Sequence, residues 1–230
     1  MNQAEEARIV KSSIMILVLL AIAGTANAQE HSGGKTVDSV QPAIDLAVAK
    51  ARLAINKYGE TDSAMVAIQA VLSEVASLPG IKTRGQMKVL HGSKSMGRAL
   101  LARESDSGIC LYLSWFGKGA ETPVHDHLTW GVVRVLEGRD RYTRWRHPLN
   151  SKSDELSVKK GEQRVLAPGE STFWLGPPND VHSQQAVDSD LWELVMTGRD
   201  LSSDYVTKNH HYYDAKSGRV SSSNPQIDAR

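Results

Sequence analysis

The stretch TPVHDHLTWGVVRVLEG, residues 122–138, sets His125 and His127 two residues apart, just ahead of an apolar run. On an extended strand, residues i and i+2 share a face, so both imidazoles would aim at one point and Asp126 would turn away. Neutral imidazole is the commonest metal ligand. Two such rings buried together with nothing to satisfy them would burden a protein interior. The pair therefore points to a metal, and a third ligand must come from another strand. His182 is the candidate, because it follows the turn-forming Pro177-Pro178-Asn179-Asp180 and opens a strand-like stretch. His31, His91, His147, His210 and His211 read as ordinary hydrogen-bonded surface or core residues. The lone cysteine, Cys110, cannot form an internal disulfide; Ile109-Cys110-Leu111 reads as a buried, inert thiol.

The elements that must carry these ligands follow from periodicity. Short segments near 98–103, 109–116, 129–136, 140–147, 163–166, 171–175, 181–187 and 191–197 are rich in Val, Leu, Tyr, Trp and Thr. Turn signals separate them: Asp106-Ser107-Gly108, Glu137-Gly138, Pro168-Gly169 and the Pro177–Asp180 tetrapeptide. Regularly spaced short strands of this kind predict an all-β sandwich or barrel. Ahead of them, apolar residues recur at helical steps over Val37–Lys57 and from about Asp62 to Leu78, with Asp38 or Ser39 placed to cap the first helix. The helices carry no chemistry and read as a packing layer. Trp115, Trp130, Trp145 and Trp174 fall on strands and read as core or cavity walls.

The chain has 230 residues, 40% apolar and 23% charged, with a net charge of +1. That balance, without a long basic run, argues against nucleic acid or an anionic membrane surface as partner. Lys159-Lys160 reads as a solvated turn. Arg8 and Lys11 precede an apolar core, Ile14 to Gly24, which ends in Ala26-Asn27-Ala28. This is the plan of a cleavable signal peptide with its cut after Ala28. The core is shorter than the ~20 residues that span a bilayer. The expected organisation is a signal peptide at 1–28, a linker (29–35) and helical segment to 85, a β barrel over 86–200, and a polar tail over 201–230 that wraps the surface. The expected location is periplasmic or secreted.

Gly119, His125, His127, Gly131 and Gly138 match the first motif of the cupins, and Pro178-Asn179-Asp180-Val181-His182 resembles the second, with Asp180 in place of its glycine. The resemblance implies a mainly β, double-stranded β-helix (jelly-roll) barrel with the helices as an N-terminal layer. Gly131 stands where most cupins place a metal-binding glutamate. That replacement, with LSWFGKGAETPVHDHLTWGVVRVLEG around it, resembles the cysteine dioxygenase-like branch, the thiol dioxygenases; the likeness covers roughly residues 95–200, with a weaker YYDAKSGRV near the end. It implies Fe(II) on His125, His127 and His182, with the corner beside Gly131 left empty. Three neutral ligands leave the ion its full charge, which favours an anionic substrate group such as a thiolate. Thiolate and oxygen would share the ion, so that oxygen adds to sulfur to give a sulfinate. The same resemblance gives Arg98 the substrate carboxylate, a contact that suits a planar guanidinium, with Arg103 as a nearby competitor.

One family feature is absent. Glu193, Val195 and Thr197 stand where the branch carries its Ser-x-His-x-Tyr set. Tyr112, Tyr205, Tyr212 and Tyr213 are the candidates for a substitute hydroxyl. The resemblance thus implies a thiol dioxygenase-like enzyme acting on a cysteine- or 3-mercaptopropionate-type thiol with O2. A non-catalytic cupin binding metal or a small anion is the alternative. An isomerase, or a dioxygenase acting on carbon, is a third reading.

Overall fold

The computed structural model describes residues 39–90, 93–148 and 157–221. The expected signal peptide, the linker, His31 and His91 lie outside the described residues.

Two helices lead. Helix α1 (Val40–Tyr58) buries Ile44, Ala47, Val48 and Ala51, and α2 (Asp62–Ala76) buries Met65, Ile68, Leu72 and Val75. Ser39 occupies the N-cap of α1 but makes no side-chain cap bond. At the other end the Gly59 N–H closes on Ile55 O at 2.8 Å. None of the helices among the described residues is long and apolar enough to cross a membrane.

In chain order the strands are β1 (Lys88–Leu90), β2 (Ser93–Arg103), β3 (Cys110–Phe116), β4 (Val124–His125), β5 (Gly131–Glu137), β6 (Asp140–Arg146), β7 (Lys159–Leu166), β8 (Ser171–Trp174), β9 (His182–Ser183), β10 (Leu191–Thr197), β11 (Tyr212–Tyr213) and β12 (Val220–Ser221); a third helix, α3, spans Asp204–Asn209. They form two six-stranded antiparallel sheets, ordered β1-β2-β3-β10-β5-β8 and β12-β11-β4-β9-β6-β7. The fold is mainly β with a helical layer at the front, as the sequence predicts.

Alternation divides the first sheet cleanly. Leu111, Leu113, Val132, Leu194 and Met196 face the helices and share one core with them. Cys110, Tyr112, Phe116, Val133, Val135 and Val195 face the interior, where they meet Tyr142 of the second sheet and Trp174 of β8. Burying such side chains contributes about 1.5–3 kcal/mol each, and a strand shifted by one residue would exchange the two faces.

Several expected elements differ. Strand β2 starts five residues before the expected 98: Ser93-Lys94-Ser95 carries no strand signal and is held by Ser93 opposite Leu90 of β1 and by Ser95 O accepting the Gly117 N–H. Lys159-Lys160 is not a turn but the start of β7, exposed at a sheet edge, where lysines discourage further pairing. The expected strand over 181–187 is a ladder of two residues only. Beyond Ser183 the chain bonds alternately to both neighbours, with Thr122 N–H on Gln184 O and Gln185 exchanging bonds with Arg141. The polar tail does not merely wrap the surface: β11 pairs directly with β4.

Candidate metal centre

Register brings the first and third histidines together. Tyr212 of β11 lies opposite His125 of β4, His125 opposite His182 of β9, and His182 opposite Arg144 of β6. Directly opposed residues of antiparallel strands project to the same side, so His125 and His182 form a cross-strand pair.

His127 arrives differently. It is not on the strand with His125, which ends at that residue. The following Leu128 adopts φ 57°, a left-handed conformation rare for a bulky side chain. One carboxylate oxygen, Asp180 Oδ2, accepts the His127 N–H at 3.1 Å and the Leu128 N–H at 2.7 Å. Asp180 therefore holds the turn that swings His127 back over its neighbours. Burial and nearby Asp126 raise the Asp180 carboxyl, while the two N–H bonds favour its charged form. The sequence reading marks Asp180 only as a departure from a motif it resembles and gives it no role.

The three rings converge. His125 Nε2 lies 3.1 Å from His127 Nε2, which lies 3.3 Å from His182 Nε2, and one donor atom from each residue falls within 4.8 Å of the others. Two nitrogens about 2.1 Å from one ion stand about 3.0 Å apart at a right angle and about 3.4 Å apart in a tetrahedron. His125 Nδ1 meets Pro123 O at 2.8 Å and His182 Nδ1 meets Asp180 O at 3.2 Å. These carbonyls hold the proton on Nδ1 and turn each Nε2 lone pair to the cluster, the outer support that metal-bound histidines normally have. Burial holds His127 well below its ordinary pKa, with His125 and His182 adding to the effect, and pushes His182 down to about 3. The donor set suits a divalent transition metal.

The corner beside Gly131 is not empty. A Cβ at Gly131 would stand 2.0 Å from Trp174 Cζ2. The indole fills the space that a glutamate would need, donates its Nε1–H to Thr129 O at 2.9 Å, and lies against His127 and His182 with ring centres 5.1 and 4.5 Å away. Tyr142 stacks on His182 at 5.1 Å. Glycine at 131 is thus paired with a large ring at 174, a complementarity that sequence spacing alone does not reveal.

A cavity of about 350 Å³ opens onto His125 and His127. Arg98, Ser114, Phe116, Gln184, Val195 and Tyr212 are among its walls. The Arg98 guanidinium lies over the Tyr112 ring at 4.7 Å, and burial lowers its pKa. No carboxylate pairs with it among the described residues. Arg103 instead pairs with Asp200. Of Glu193, Val195 and Thr197, which the sequence resemblance sets at Ser-His-Tyr positions, only Val195 reaches the cavity. Thr197 bonds to Arg199 O at 2.8 Å, and Glu193 is fully buried. Gln184 Nε2 donates to Glu193 Oε2 at 2.9 Å and to Asp140 Oδ2 at 3.1 Å. Burial raises Glu193 well above its ordinary range and Asp140 to about 7.

The tail supplies what the sequence reading assigned elsewhere. The Asp126 carboxylate accepts the His211 N–H at 2.9 Å and contacts His211 Nδ1 at 2.8 Å, fastening β11 beside the first ligand. His210, Tyr212, Val206 and Thr207 line the cavity. Tyr212 is among the sequence's candidates for a substitute hydroxyl and lies in the YYDAKSGRV likeness, whereas His210 reads there as an ordinary surface or core residue.

No family model matches the chain, and no curated protein does. Solved structures do. An RmlC-like cupin from Shewanella frigidimarina is 21% identical, covering 54% of this chain and 91% of its own, with a TM-score of 0.39. A cupin-like protein from Thermotoga maritima is 18% identical, covering 57% and 86%, at 0.39. A structure described as DMSP lyases RdDddP and RnDddQII is 17% identical, covering 67% and 71%, at 0.40. The structural neighbours of this two-sheet fold thus include cupins, and its three-histidine cluster could hold a metal.

Proposed function

We propose that the chain is an exported, ferrous thiol dioxygenase-like enzyme that converts a small thiol bearing a carboxylate to its sulfinate, RSH + O2 → RSO2H. The observation that carries this reading is the pairing, at one cavity, of the three-histidine cluster with Arg98, a half-buried guanidinium that has no carboxylate partner among the described residues. Both features call for a ligand that brings its own negative charge, since a cation shielded from water without a counter-charge is costly.

His125, His127 and His182 would hold Fe(II). When bound, ferrous iron supplies a Lewis-acidic centre and the electrons for engaging dioxygen. The protein's own groups do the rest. Arg98 presents a planar fork that can take a carboxylate in two parallel hydrogen bonds, which fixes the distance between that end of the substrate and the histidines. Phe116, Val195 and Trp174 give the cavity dry walls, where such charge contacts are stronger than in water. Gln184 spans from the cavity wall to both buried carboxyls, its Nε2 donating to Asp140 and Glu193, which fixes its side chain in place. Asp180 and Trp174 hold His127 and His182 in place. Export rests on the expected signal peptide at 1–28.

The test is metal analysis of protein purified without oxygen, followed by oxygen uptake with cysteine, 3-mercaptopropionate and related thiols. Iron near one equivalent with uptake for one of them is the expected result. A second reading, a non-catalytic cupin that binds metal or a small anion, is favoured by Glu193, Val195 and Thr197 at the family's Ser-His-Tyr positions. Bound iron without uptake for any thiol would select it.

A further inference from the structure

We propose that His210 is the proton relay of this cavity: its Nε2 takes the proton of the incoming thiol and passes it to solvent, so the substrate is bound as a thiolate. The inference rests on the thiol reading above. His210 follows α3 directly, and its Nδ1 lies 2.7 Å from Val206 O. That carbonyl accepts only a proton-bearing nitrogen, so Nδ1 carries the N–H and Nε2 keeps its lone pair. The ring meets Tyr212 edge-on, with centres 4.8 Å apart at 85°. Tyr212 is itself opposite His125 in register. A short, continuous structure, from α3 through β11 to β4, therefore fixes this imidazole relative to the metal cluster without making it a ligand.

Other groups on the cavity wall are poorly suited to the task. Arg98, from β2, is a cation with donors only and no free lone pair to accept a proton. Asp126 is occupied by the His211 N–H and Nδ1. His125 Nε2 and His127 Nε2 face each other within the cluster. Tyr212 is a phenol and carries its proton at neutral pH. Asp140 and Glu193 lie behind Gln184, fully buried. His210 is partly exposed, so the proton it gains can leave to solvent. In the transfer the S–H bond breaks, a proton–nitrogen bond forms at Nε2, and the electron pair remains on sulfur; no oxidant is needed.

The experiment is rapid mixing of the metal-loaded protein with 3-mercaptopropionate at pH 8, without oxygen, with binding followed by tryptophan fluorescence, since Trp174 lies against the cluster. His210→Asn keeps an N–H donor for Val206 O but has no Nε2; it should bind the thiol at least about tenfold more slowly than wild type, with metal content unchanged, and added imidazole should restore part of the rate. His210→Gln provides a second variant should the first fold poorly. Equal binding rates for wild type and variant, with thiol bound by both, would overturn this inference and leave the thiol reading standing. Failure of the metal-loaded wild type to bind thiol at all would overturn both.

Discussion

Substituting Gly131 with alanine tests the complementarity between this position and Trp174. The added Cβ would sit 2.0 Å from Cζ2 and 2.5 Å from both Cε2 and Cη2 of the indole. Carbon atoms settle at about 3.5 Å or more, so the ring must retreat by about 1.5 Å. It has little room to do so: its Nε1 is bonded to Thr129 O at 2.9 Å, and two histidine rings lie against it. Overpacking of this kind costs about 1–3 kcal/mol. Losing the buried indole hydrogen bond adds a similar amount, about 1–3 kcal/mol. The two costs together come to about 2–6 kcal/mol; for a chain of this size each kcal/mol moves the melting temperature by about 2–4 °C, so a fall of about 4–24 °C is expected. Thermal unfolding followed by circular dichroism, with and without added metal, measures it; metal affinity should fall too, because the displaced ring supports His127 and His182. Trp174→Ala combined with Gly131→Ala should be less damaging than the sum of the two, since the clash is then gone. A Gly131→Ala protein that melts within a degree or two of wild type and binds metal equally well would refute the argument.

Asp180→Ala removes the acceptor for two backbone N–H groups at a strained turn, and metal affinity, read by competition with a chelator, should fall about 10–100-fold. Arg98→Ala should weaken binding of 3-mercaptopropionate by about 1.5–3 kcal/mol, roughly 10–100-fold by calorimetry, with metal content unchanged. The Asp140–Glu193 pair predicts a pH dependence of stability. Burial raises Asp140 from 3.8 to about 7 and Glu193 well above 4.5, so both folded values exceed the unfolded ones. The stability this protonated pair contributes is fully present below about pH 4 and is lost as the pH rises toward about 7. Urea unfolding between pH 5 and 8 should show stability falling with pH, and Asp140→Asn, which cannot ionise, should flatten the slope.

The sequence by itself determined the local features. Segments rich in Val, Leu, Tyr, Trp and Thr between turn signals marked most strands of the first sheet, and helical spacing marked α1 and α2, because strand and helix propensities and periods are local. The His-x-His pair and the later His182 were legible for a related reason: few other arrangements put so many imidazoles ahead of strand-like runs. Only the tertiary structure decided the rest. That His125 and His182 lie opposite each other depends on strand pairing between distant segments. The route of His127 into the cluster depends on a carboxylate more than 50 residues away in sequence, at Asp180. Trp174 fills the corner beside Gly131, and the polar tail brings His210 and Tyr212 to the cavity. Such contacts join segments whose own patterns say nothing of each other; spacing along a chain constrains near neighbours, while packing selects which distant ones meet.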